Sequence, residues 1–66
     1  MIGRIRYKTP QGNTVEVVEY KTMADLPVYC ADVVDPEGEV IEFIDPIIGS
    51  TGLQHMAATR RWKELS

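Results

Sequence analysis

Apolar and polar residues alternate with a period of two over Gly3-Arg4-Ile5-Arg6-Tyr7-Lys8. Successive side chains of a strand point to opposite faces, so this spacing predicts a half-buried strand. Ile5 and Tyr7 then face inward, and Arg4, Arg6 and Lys8 face water. Thr9-Pro10-Gln11-Gly12-Asn13 reads as a turn, because Pro fixes φ and Gly supplies a positive φ. A Val-rich second strand is expected over 14–21. Its apolar phase changes at Val17-Val18, which predicts a bulge or burial of both faces there. The segment 22–27 is read as a loop or a single helical turn, and 28–34 as the third strand.

Asp35-Pro36-Glu37-Gly38 is the sharpest local signal. Asp first, Pro second and Gly last suit a type I turn closed by a Gly bulge, joining antiparallel strands 28–34 and 39–45. With three loop residues, Asp35 faces Glu39, Val33 faces Ile41 and Ala31 faces Phe43. One face then carries Tyr29, Ala31, Val33, Ile41 and Phe43, all apolar. A two-residue loop would set Ala31 against Glu42 and mix both faces, and a one-place slip exchanges faces along the whole strand. In the favoured register Asp32 and Glu42 oppose each other, an arrangement that destabilises unless something compensates it.

Pro46 has no N–H for a ladder and is expected to end the fourth strand. Gly49-Ser50-Thr51-Gly52 can cap a helix, and a helix is predicted over 53–65. Its apolar pattern is split. Leu53, Met56 and Ala57 share one side, while Ala58, Trp62 and Leu65 lie nearly opposite. A closing strand over 60–65 is the alternative. The expected class is α+β and β-rich: one domain, 1–66, built as a small curled antiparallel sheet or SH3-like barrel of four to five strands with a C-terminal helix. No motif names a family. The order of two hairpins and a terminal helix is similar to that of small archaeal chromatin proteins. Those are strongly basic and this chain is acidic, so no function follows from the likeness.

Composition narrows the function classes. With 66 residues and one cysteine, Cys30, the chain can form no internal disulfide. Cys30 is read as a small hydrophobe within an apolar strand. One Cys and one His make no zinc site, so no metal or other cofactor is expected. No apolar run reaches the length of a membrane span. The chain reads as a complete frame whose Met1-Ile2 start carries no leader or myristoylation signal, and a cytoplasmic protein is expected. His55 has no partner in a local motif, and no nucleophile-and-base pattern occurs, so no enzymatic activity is expected.

Charge is segregated along the chain. Seven acids (Asp25, Asp32, Asp35, Glu37, Glu39, Glu42 and Asp45) fall between Thr22 and Thr59, with no Lys or Arg among them. All seven basic residues lie outside, so the net charge of −3 conceals a dipolar chain. The favoured reading is a small protein-interaction module that regulates or inhibits a partner with a basic surface, such as a nucleic-acid-handling protein. Its docking residues would be Asp32, Asp35, Glu37, Glu39, Glu42 and Trp62. The alternative is a nucleic-acid-binding barrel using Arg4, Arg6, Lys8, Arg60, Arg61 and Trp62, against which stands a pI near 4.9. Homodimerisation is also expected. An outward-facing Trp62 beside Ala58 and Leu65 would gain from pairing about a two-fold axis.

Overall fold

In the computed structural model, residues 3–65 are described; Met1, Ile2 and Ser66, and with them the reading of the Met1-Ile2 start, lie outside. Five strands and one helix follow in the order β1 (Gly3–Lys8), β2 (Thr14–Lys21), β3 (Pro27–Val34), β4 (Val40–Ile48), α1 (Ser50–Thr59) and β5 (Lys63–Leu65). They form one antiparallel sheet in the spatial order β4-β3-β2-β1-β5. The first four strands are a meander. The helix then carries the chain across one face so that β5 pairs with β1 at the far side. The sheet stays open, so the β-rich α+β expectation holds and the barrel does not close.

All three hairpin connections use one turn. In each, the first residue's N–H bonds the carbonyl four residues on, and its own carbonyl accepts from the residue three on. The pairs are Thr9 with Asn13 and Gly12, Thr22 with Leu26 and Asp25, and Asp35 with Glu39 and Gly38. The first side chain also accepts the fifth N–H, at 3.0 Å for Thr9 Oγ1, 3.2 Å for Thr22 Oγ1 and 2.8 Å for Asp35 Oδ1. The fourth residue is left-handed: Gly12 at φ 87°, Asp25 at 63° and Gly38 at 90°. Gly38 thus has the backbone that the bulge requires. The 22–27 connection, expected as a loop or helical turn, is the same hairpin turn with Asp25 in the glycine's place.

The predicted β3–β4 register is corrected. Asp35 and Glu39 do pair, and Val34 faces Val40. Beyond them the register shifts by one, and Val33 faces Glu42, Asp32 faces Phe43 and Ala31 faces Ile44. The turn alone favoured Ala31 opposite Phe43, but the helix adds a second demand. Ile44 and Ile47 are buried beneath it, and Glu42 sits beside Arg60 at its end. One extra residue, Ile41, reconciles turn and helix. A second shift sets Asp45 and Pro46 against Cys30, with Tyr29 facing Ile47 beyond. Pro46 therefore does not stop β4. It occupies a bulge on an edge strand, where its missing N–H breaks no ladder. No bulge occurs at Val17-Val18, where β2 pairs without interruption on both sides.

The core lies between one sheet face and α1. Tyr7, Val15, Val17, Tyr29, Ala31, Val33, Ile44, Ile47, Leu53 and Trp62 are buried, with Ile5, Met56 and Ala57 packed at the margin. The helix lies close to β4. A Cβ added at Gly52 would stand 3.0 Å from Ile47 Cγ2. The helix is shorter than expected and ends at Thr59 in a Schellman cap: Trp62 N–H bonds the Ala57 carbonyl and Arg61 N–H that of Ala58. Arg61 takes the left-handed position at φ 59°. The chain thereby reverses, and 63–65 is the closing strand rather than helix. That resolves the split pattern. Trp62 does not point away from the sheet; it packs on Tyr7, with ring centroids 5.6 Å apart.

Candidate docking face

Because strand side chains alternate, the ladder fixes what stands on the face that α1 leaves uncovered. One row crosses all five strands as Leu65–Arg6–Glu16–Asp32–Phe43. A parallel row reads Lys63–Lys8–Thr14–Val34–Val40. Further along lie Arg4–Val18–Cys30 and Tyr20–Val28–Ile48. The face is thus divided across the strands. The β1–β5 side is basic, the middle is acidic through Glu16 and Asp32, and the β3–β4 side is apolar. Phe43 is 78% exposed and Ile48 71%. Exposed apolar groups scattered singly are ordinary, but these adjoin Tyr20 and Val40 on one sheet face. An open depression between the basic and acidic columns is lined by Arg4, Arg6, Glu16 and Val18.

The acidic residues expected to dock as a set are separated. Asp32 stands at the centre of the open face. Asp35 Oδ1 accepts the N–H groups of Glu37 and Glu39, at 3.0 and 2.8 Å, so its carboxylate is engaged in the turn. Glu37 and Glu39 are exposed at that turn. Glu42 lies on the helix side, where Arg60 Nη1 donates to both its oxygens at 3.1 and 3.0 Å. Asp32 and Glu42 therefore do not oppose each other; the like-charge pair is Asp32 with Glu16. Trp62, 9% exposed, is a core residue and offers no anchor to a partner. The homodimer argued from its exposure loses its ground.

The alternative basic set is partly assembled. Arg4, Arg6 and Lys8 project together, and Lys63 joins them opposite Lys8. Arg60 is turned to Glu42 and lies 5.9 Å from the Trp62 ring on the other side of the sheet. Arg61 is exposed at the helix end, and buried Trp62 presents no ring for a base to stack on.

Cys30 is exposed rather than packed as a small hydrophobe. It stands on the open face, whereas His55 is exposed on α1 across the sheet. Among the described residues, no group of three or more His, Cys, Asp or Glu side chains is arranged to hold a metal ion. No helix among them is long and apolar enough to cross a membrane. Burial raises the Tyr7 phenol above its ordinary value of 10.0, with the Glu64 charge and then Tyr29 adding to it. Burial raises Tyr29 as well, reinforced by the Glu19 charge and by its hydrogen bond to Glu19 Oε2 at 3.3 Å.

Sequence reading missed Phe43 and Ile48 as exposed groups and Lys63 as part of the basic column. The available signal was that 40–44 is apolar in both phases around Glu42, so one apolar set had to face outward. Comparison with protein families, with curated proteins and with solved structures gives no match.

Proposed function

We propose that this chain is a small protein-interaction module that docks through the open face of its sheet and regulates a partner by occupying it. The observation that carries this reading is Phe43, 78% exposed and paired across the ladder with Asp32. An aromatic anchor beside a carboxylate suits a partner group that is apolar and next to a cation, since aromatic residues dominate interface energetics. Glu37 and Glu39 at the adjoining turn extend the negative rim and would steer basic partners toward it. The acidic docking surface expected from sequence is thus narrowed to Asp32, Glu37 and Glu39 around an apolar centre. The cytoplasm remains the expected compartment.

A display selection of random peptides against the folded protein tests this reading. Enriched peptides should combine large apolar residues with Lys or Arg and should lose binding to Phe43→Asp. Enrichment indifferent to Phe43→Asp would overturn it. A competing nucleic-acid role rests on the Arg4–Arg6–Lys8–Lys63 column. It would show as binding of a single-stranded oligonucleotide at low salt that weakens in Lys8→Ala and Lys63→Ala.

A further inference from the structure

The chemistry that Phe43 and Asp32 ask of an occupant, an apolar group beside a cation, exists on this chain. At the other end of the same row stand Leu65 and Arg6. We infer that the open face is self-complementary and that its occupant is a second copy of this chain, stacked sheet on sheet. The inference rests on the open face being the docking surface, and it specifies the partner.

Two aligned face-to-face arrangements are possible for a two-fold pair. With the axis along the row direction, each strand lies over its own copy, and the Arg4–Arg6–Lys8 column meets itself. With the axis along the strands, over β2, the strand order is reversed between the sheets. Arg6 then faces Asp32 of the partner subunit, and Phe43 faces Leu65 of the partner subunit. Each contact occurs twice by symmetry. Val34 and Val40 lie over the aliphatic stems of Lys8 and Lys63 of the partner subunit, which keep their charged ends at the rim. Electrostatics selects this second arrangement, because only it sets cations over anions. Aligned packing of two sheets about 10 Å apart is a common solution for an uncovered sheet face. Strands of 6, 8, 8, 9 and 3 residues offer roughly 540 Å² of flat area, before side-chain relief is counted. That is about two-thirds of the roughly 800 Å² per partner of a standard interface.

One contact is unfavourable. Glu16 lies on the axis and faces Glu16 of the partner subunit. This gives a test that separates self-pairing from docking on a basic protein. Glu16→Gln should tighten self-association, by about two- to fivefold, because it removes a like-charge pair. The same change should weaken capture of a basic peptide.

Sedimentation equilibrium over a micromolar concentration series reads the result. The wild type should approach twice 7.4 kDa at the upper end. Phe43→Asp should be monomeric, and since that side chain is exposed the fold should persist, as blue-shifted Trp62 emission would verify. Arg6→Asp should weaken pairing roughly tenfold or more, and Arg6→Asp with Asp32→Arg should restore it. A wild type that stays monomeric throughout would overturn the inference, as would a dimer indifferent to Phe43→Asp or weakened by Glu16→Gln. In those cases the peptide selection still decides whether the open face docks something else.

Discussion

Asp25 and Arg61 hold the left-handed backbone that this fold elsewhere gives to glycine, at φ 63° and 59°. Each is fixed by its surroundings: Asp25 by the hydrogen bonds of the β2–β3 turn, Arg61 by the Schellman cap that sends the chain into β5. A side chain in this region costs about 1–2 kcal/mol, less for Asp, whose short polar side chain tolerates it. Arg61→Gly is therefore expected to stabilise the protein by about 1 kcal/mol, and Asp25→Gly by less. For a domain this small that gain raises Tm by roughly 4–8 °C. Thermal melts followed by far-UV circular dichroism check it, and an unchanged or lower Tm in Arg61→Gly would contradict the cap. The exposed Lys21–Asp25 contact, at 3.7 Å, offsets little of the gain. These positions also show the limit of sequence reading. The Asp35–Gly38 turn was legible because Pro and Gly announce it. The same geometry at 22–26 was not, because Met23 and Asp25 stand where Pro10 and Gly12, or Pro36 and Gly38, stand in its sisters. What the three turns share is the first residue, a Thr or Asp whose oxygen caps the fifth N–H.

At the scale of elements, strands were legible wherever the alternation of apolar and polar residues alone settled their faces. β1 matches its alternation residue by residue. β4 does not, because its register answers to two neighbours, the turn at its start and the helix above its middle. Two-strand reasoning fixed the first pair and then ran one residue out of step, which sent Phe43 to the wrong face. The helix was misread for a related reason. Trp62 and Leu65 fell on the far side of an imagined helix, whereas the Arg61 reversal turns Trp62 under the sheet and leaves Leu65 beside Arg6. Both buried tyrosines of the core, Tyr7 on β1 and Tyr29 on β3, have raised pKa values. Below pH 10 the folded and unfolded chains hold these phenolic protons alike. As pH rises past 10, the unfolded chain releases them first and binds fewer protons, so stability falls with increasing pH. The urea midpoint should be flat from pH 8 to near 10 and decline above it, and Tyr29→Phe should make the decline shallower. A midpoint unmoved to pH 11.5 would contradict the burial of these rings.

For the molecule as a whole, the sheet divides its duties between two faces. One carries Val15, Val17, Ala31 and Val33 under the helix, with Trp62 closing on Tyr7. The other carries charge and exposed apolar groups that the single chain does not cover. A domain of 66 residues buries only about 60% of the surface its unfolded chain exposes, and its stability is correspondingly modest. Sequence reading foresaw such a shortfall but assigned it to Trp62. On the open face the exposed apolar groups are instead Phe43, Ile48, Val40, Tyr20 and Leu65. The direct measurement of the docking face is a side-chain proton–carbon NMR spectrum, recorded on dilution of the protein and on addition of a selected peptide. The Phe43 ring and the methyl groups of Ile48, Val18 and Leu65 should shift, while Leu53 and Met56 on the helix side stay in place. Shifts confined to Met56, Ala58 or other helix-side groups, with the Phe43 ring unmoved, would contradict docking through the open face.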